Sequence, residues 1–151
     1  MVGVAVYLIV WALGLGGALV FLSVSESAAQ LSGIIIPIYC VLFGALGGVT
    51  YCLRGLYLNV AVKDNWDPKW KIWYFVRPLV SAILGGLSFV FVSAGLLVLD
   101  AADPAPNGIY GFIALSFVAG LNVDGIVKRI EEVAQATWGL GPSRTSKRGD
   151  E

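Results

Sequence analysis

Four stretches of the chain run uncharged for close to the roughly 20 residues that a helix needs to cross the hydrocarbon core of a bilayer. The first covers residues 3–24. The second covers 33–53 and stops at Arg54. The third covers 79–99 and stops at Asp100, and the fourth begins near Ile109 and meets its first charge at Asp124. None of them alternates polar and apolar positions as the strands of a membrane barrel would. The pattern predicts an all-α integral membrane four-helix bundle with spans at about 3–24, 33–53, 78–99 and 109–127. The first run has no positive residues before it and is longer than the apolar segment of a signal peptide, so it is expected to be retained as a helix.

Two further elements are expected beside the spans. Asp67-Pro68 reads as a helix start, an N-cap acid followed by proline at the first helical position. The stretch from Lys69 to Arg77 carries Trp70, Trp73 and Tyr74, rings suited to the headgroup zone. It predicts a short interfacial helix that bends at Arg77-Pro78 into the third span, because proline removes a backbone donor and crowds the preceding turn. At the other end, a fourth span ending at Asp124 is about 22 Å long, short of the roughly 30 Å core. Ile126, Val127, Ile130, Val133, Ala134 and Trp138 recur at helical spacing, with Lys128, Arg129, Glu131, Glu132 and Gln135 on the opposite face. The fourth helix is therefore expected to continue unbroken as a cytoplasmic amphipathic extension to residue 138. The transmembrane domain is residues 1–138, and 139–151 form a flexible polar tail.

The placement of charge sets an orientation. All ten basic residues lie in the loop between the second and third spans or after the fourth span, and the other two loops contain none. Since basic residues stay on the cytoplasmic side, both termini are expected to be cytoplasmic.

Composition then narrows the chemistry. The chain is 58% hydrophobic and 13% charged, with no histidine and equal numbers of acidic and basic residues. Soluble domains have about 25% charged residues. Without histidine the commonest acid/base and the commonest metal ligand are missing, and a balanced charge gives nucleic acid no footing. No catalytic, cofactor-binding or metal-ligating residue is assigned, and the expectation is a protein that is not an enzyme. Cys40 and Cys52 are about 18 Å apart along one helix, too far for a disulfide.

Membrane helices associate where small residues allow close approach. Gly44 and Gly48 are so spaced in the second span, Ser81 and Gly85 and then Ala82 and Gly86 in the third, and Ser116 and Gly120 in the fourth. These are candidates for helix packing within the bundle or for an oligomer contact. Ser81, Ser88 and Gly95 also recur every seven residues, a thin polar stripe that could line a pore. Arg54, Arg77, Asn122 and Asp124 form a polar cluster expected at the cytoplasmic edge, where Arg77 and Asp124 would pair. That pair would fix the third helix against the fourth, or serve as a gate in an oligomer.

Residues 43–54, FGALGGVTYCLR, resemble the glycine-then-arginine segment of small four-helix fluoride channels. That family carries the segment in its first helix, and its paired-threonine and phenylalanine stretch has no counterpart between Leu79 and Leu99, so the family is not assigned. The expected function is that of a non-catalytic accessory or scaffold subunit of a membrane assembly. The alternative is a homo-oligomeric ion channel or pore with a gate at the cytoplasmic edge. The expected partners are membrane lipid and either further copies of the chain or other membrane subunits.

Overall fold

The computed structural model describes residues 2–24, 34–62, 68–96 and 109–139, with side chains omitted at 61, 62 and 68. All of the regular structure among them is helical. Helix α1 is Val2–Val24, and α2 is Ile35–Tyr57, which runs on into a π-helical turn, Leu58–Val62. A single 3-10 turn, Pro68–Trp70, leads into α3, Lys71–Ser93. Helices α4, Ile109–Leu121, and α5, Val123–Trp138, complete the chain. Among the described residues three helices are long and apolar enough to cross a membrane (α1, α2 with its continuation, and α3), and a fourth crossing exists if α4 and α5 are counted as one bent span.

Helix α2 is the centre, packed most extensively against α3, then α4, then α1. It holds that position because glycine brings its backbone against its neighbours. A β-carbon on Gly44 would lie 2.6 Å from the Ser81 carbonyl oxygen and 2.7 Å from the Gly85 Cα. One on Gly120 would strike the Gly44 carbonyl, one on Gly47 the Phe117 carbonyl, one on Gly85 the Cys40 carbonyl, and one on Gly48 the Ser81 side chain. The contact is made polar by two buried serines. Ser81 Oγ donates to the Gly120 carbonyl at 3.1 Å, and Ser116 Oγ lies 3.1 Å from the Gly85 carbonyl and 2.8 Å from that of Phe112. Such bonds between helices each contribute about 0.6 kcal/mol, so close backbone packing carries more of the stability than they do.

Helix α1 is seated differently, by side chains. Val4 and Leu8 are buried against Cys52, Leu56 and Tyr74, and Leu15 against Ala45 and Val49. Tyr7 packs against Phe75 with the rings tilted by 49° and their centroids 4.4 Å apart, and its hydroxyl donates to the Phe75 carbonyl at 3.2 Å. Cys40 and Cys52 are both buried free thiols.

Three expectations about element boundaries are corrected. Among the described residues no separate interfacial helix precedes the third span: Lys71–Ser93 is one helix with Pro78 inside it, entered through the 3-10 turn Pro68–Trp70. Proline within a membrane helix is tolerated where neighbours supply the backbone with other partners. Pro78 is fully buried; its missing N–H concerns the Tyr74 carbonyl, four residues before it, while the Tyr7 hydroxyl bonds the neighbouring carbonyl of Phe75. Asp67, the expected cap, lies outside the described residues.

The third span also ends before residue 99, at Ser93. Gly95 takes a left-handed φ of 72°, Gly95 N donates to the Val92 carbonyl and Leu96 N to that of Phe91, each at 2.9 Å. This is the Schellman arrangement that closes a helix on a glycine, so Gly95 terminates α3 and does not extend a serine stripe.

The third correction concerns the fourth span, expected to be continuous from 109 to 138. It breaks at Asn122, and α5 leaves α4 at 111°. Asn122 has φ −118° and ψ 62°, outside the helical region, and its side-chain oxygen accepts from Gly125 N at 3.2 Å. Asparagine is among the best N-caps because its side chain replaces a missing backbone acceptor. Asn122→Ala is expected to lower stability by about 1 kcal/mol, read as a lower melting temperature in detergent. An unchanged melt would mean that the bend is held by something other than the cap.

Candidate functional site

Among the described residues the charged side chain buried in the bundle is Arg77, at 7% exposure. It lies in the first half of α3, and its guanidinium is set over two rings, 4.7 Å from the centroid of Tyr51 on α2 and 5.3 Å from that of Trp73 one turn earlier on α3. A cation over an aromatic face contributes about 2 kcal/mol when water is excluded. The helix periodicity places Trp73 and Arg77 on one face, and α2 supplies Tyr51 from across the interface.

The carboxylate of Asp124, in the first turn of α5, lies 3.5 Å from Arg77 Nη1. This is an ion pair longer than a charge-assisted hydrogen bond, which is about 2.7–2.9 Å. The two partners differ in setting, since the Asp124 side chain is 86% exposed. Water therefore screens the pair from the Asp124 side, while the rings hold the guanidinium from within. Arg77 Nε is buried with no hydrogen-bond partner.

The four residues of the predicted polar cluster thus separate into three roles. Arg77 and Asp124 meet. Asn122, two residues before Asp124, caps α5 and sets the bend that delivers the carboxylate to Arg77. Arg54 stands apart, exposed on the last turn of α2, where it lines a cleft of about 300 Å³ together with Tyr51, Asn59, Trp70, Trp73 and Tyr74. The π-helical turn widens the end of α2 at this cleft, and Asn59 in that turn donates to the Tyr74 hydroxyl at 3.4 Å. Trp73 is packed edge-on against both Trp70 and Tyr74, with centroids 6.4 and 5.1 Å away.

Of the predicted small-residue positions, Gly44, Gly48, Ser81, Gly85, Ser116 and Gly120 come together in the contact of α2, α3 and α4. Gly86 lies outside it, next to the Val41 side chain, 3.0 Å from where a β-carbon would stand. Ser88, weighed as a pore-lining position, is buried and donates to the Leu84 carbonyl of its own helix at 2.8 Å, the usual habit of serine in membrane helices.

No family model, curated protein or solved structure matches the chain. No family is assigned.

Sequence reasoning missed the aromatic seat of Arg77. A ring four residues before an arginine on a helix was a visible signal, but Tyr51 comes from a different span, and only the register set by the glycines brings it there. Among the described residues no three His, Cys, Asp or Glu side chains cluster in a way that could hold a metal ion. What the arrangement offers chemically is a fixed buried positive charge, and beside it an open aromatic cleft carrying a second one.

Proposed function

We propose that this chain is a non-catalytic integral membrane subunit that packs against another membrane helix, of a partner subunit or of a second copy, through the outer face of α1. The observation that supports this reading is a division among the glycines. Gly44, Gly47, Gly48, Gly85 and Gly120 are consumed by contacts inside the bundle. Gly14, Gly16 and Gly17 of α1 meet nothing within 4 Å even when a β-carbon is added. Leu15 between them faces the bundle, and Leu13, Val20 and Phe21 point outward at 72%, 63% and 71% exposure. Small residues between large apolar ones make the surface on which two membrane helices approach closely.

In this reading the α2–α4 core is the rigid part, and both chain ends and the Arg77 cluster lie on the cytoplasmic side. Helix α5, bent across the end of the bundle, lays its apolar stripe along the membrane boundary.

The double variant Gly14→Leu/Gly17→Leu tests the reading, because open space at both positions leaves the fold intact. Native mass spectrometry of the wild type in detergent should show a defined assembly with other chains or with itself, and the variant should release it. An assembly that survives the double substitution would overturn the assignment of this face. A closed ring of identical subunits that also passes ions in liposome flux assays would replace the subunit reading with the pore.

A further inference from the structure

We infer that the cleft between the end of α2 and the start of α3 holds the phosphodiester headgroup of an anionic phospholipid, bound through Arg54. The inference rests on the reading of the chain as a membrane protein but not on its role as a subunit.

Charge is the first argument. Arg54 lines the cleft, is exposed, and makes no ion pair among the described residues. The two rings that form the inner wall, Tyr51 and Trp73, have the Arg77 guanidinium against them. An aromatic cleft without neighbouring charge would suit a quaternary ammonium group. Here one guanidinium lines the cleft and a second occupies the faces of its wall, so a cation is repelled and an anion is favoured.

Geometry and donors come next. A guanidinium offers paired N–H groups in the fork that matches two phosphate oxygens. The Asn59 amide carries a second N–H besides the one given to Tyr74, in the same cleft. The volume of about 300 Å³ is at the lower end of the range of small-molecule sites, enough for a headgroup but not for acyl chains.

The chains have somewhere else to go, which separates a lipid from a soluble phosphate. Trp70, which lines the cleft, is 53% exposed. The cleft lies where one helix long and apolar enough to cross a membrane ends and the next begins. Tryptophan and tyrosine at such a boundary sit at headgroup depth, and basic pockets between helices near that depth are where anionic headgroups bind.

The test is a lipid titration of the purified full-length chain by native mass spectrometry, comparing phosphatidylglycerol with phosphatidylcholine of the same chain length. The wild type should retain phosphatidylglycerol about tenfold better, because both lipids offer the phosphodiester but only phosphatidylcholine brings a quaternary ammonium that the two guanidinium groups repel. Arg54→Gln should bring the two lipids to parity without changing the melting temperature, since Arg54 is on the surface. Lys128→Gln, on α5, should leave the preference intact. A preference that persists in Arg54→Gln, or is abolished equally by Lys128→Gln, would overturn the site. Displacement of phosphatidylglycerol by equimolar glycerophosphate would overturn the lipid as occupant and make a soluble phosphate ester the ligand. The assembly measurement on α1 reads out independently of all these arms.

Discussion

Gly120→Ala is expected to destabilise the protein by about 3 kcal/mol, the upper end of the usual range for overpacking. The added methyl would land on the Gly44 carbonyl, and Gly44 has no room to retreat because its own α-carbon faces Ser81 and Gly85. Backbone meets backbone here, so no side chain can rotate away. Helices α2 and α4 must separate, which also stretches the bond from Ser81 to the Gly120 carbonyl. The control is Gly14→Ala, at a helix position with open space, where alanine should be neutral or stabilising by about 0.5–1 kcal/mol through reduced backbone freedom. Thermal melting followed by tryptophan fluorescence in one detergent compares the two. Equal melting temperatures would mean that the glycine contact does not hold the bundle together.

The second large effect concerns Arg77, and it is asymmetric. Asp124→Asn should cost less than about 1 kcal/mol, as removal of an exposed, screened ion-pair partner does. Arg77→Ala should cost about 2–4 kcal/mol, because it removes the cation from both rings and opens a cavity under them. Pairing alone would suggest that exchanging the two charges restores what either loses. The burial argues otherwise: an aspartate at position 77 would be desolvated against aromatic faces whose negative potential repels it. The exchanged double variant should therefore be no better than Arg77→Ala. Recovery to within about 1 kcal/mol of wild type would show that the ion pair, and not the rings, fixes α3.

How much of this was legible in the sequence depends on what each feature answers to. The apolar runs were legible because a membrane imposes a length and a composition on anything that crosses it. The small residues at four-residue spacing were legible as approach faces, although their pattern could not say whether the other side was this chain or another. The ends of helices were harder, because hydropathy changes where the solvent changes, not where the hydrogen bonds stop. The stretch from Lys69 to Arg77 reads as a separate segment by its basic ends, its interfacial rings and the proline after it, yet one helix runs from Lys71 through Pro78 to Ser93. At Asn122 and Gly95 the opposite happens, since apolar sequence continues while a cap or a left-handed residue closes the helix. Both are standard stop or start residues, but in each case a competing pattern of helical spacing or serine repeat outweighed them. The Arg77 seat was not legible, because the distance from Tyr51 to Arg77 depends on the register of two spans.

The seating of α1 has a consequence for how the protein is made. Most of its packing is against α2, the next helix in the chain, and the bond from Tyr7 to the Phe75 carbonyl reaches a position 68 residues on. A chain inserted into a bilayer as it emerges would give α1 its main partner as soon as the following helix is made, and the contact with α3 only later. Its sequence suits that interval: it carries no charge from end to end and is apolar all round.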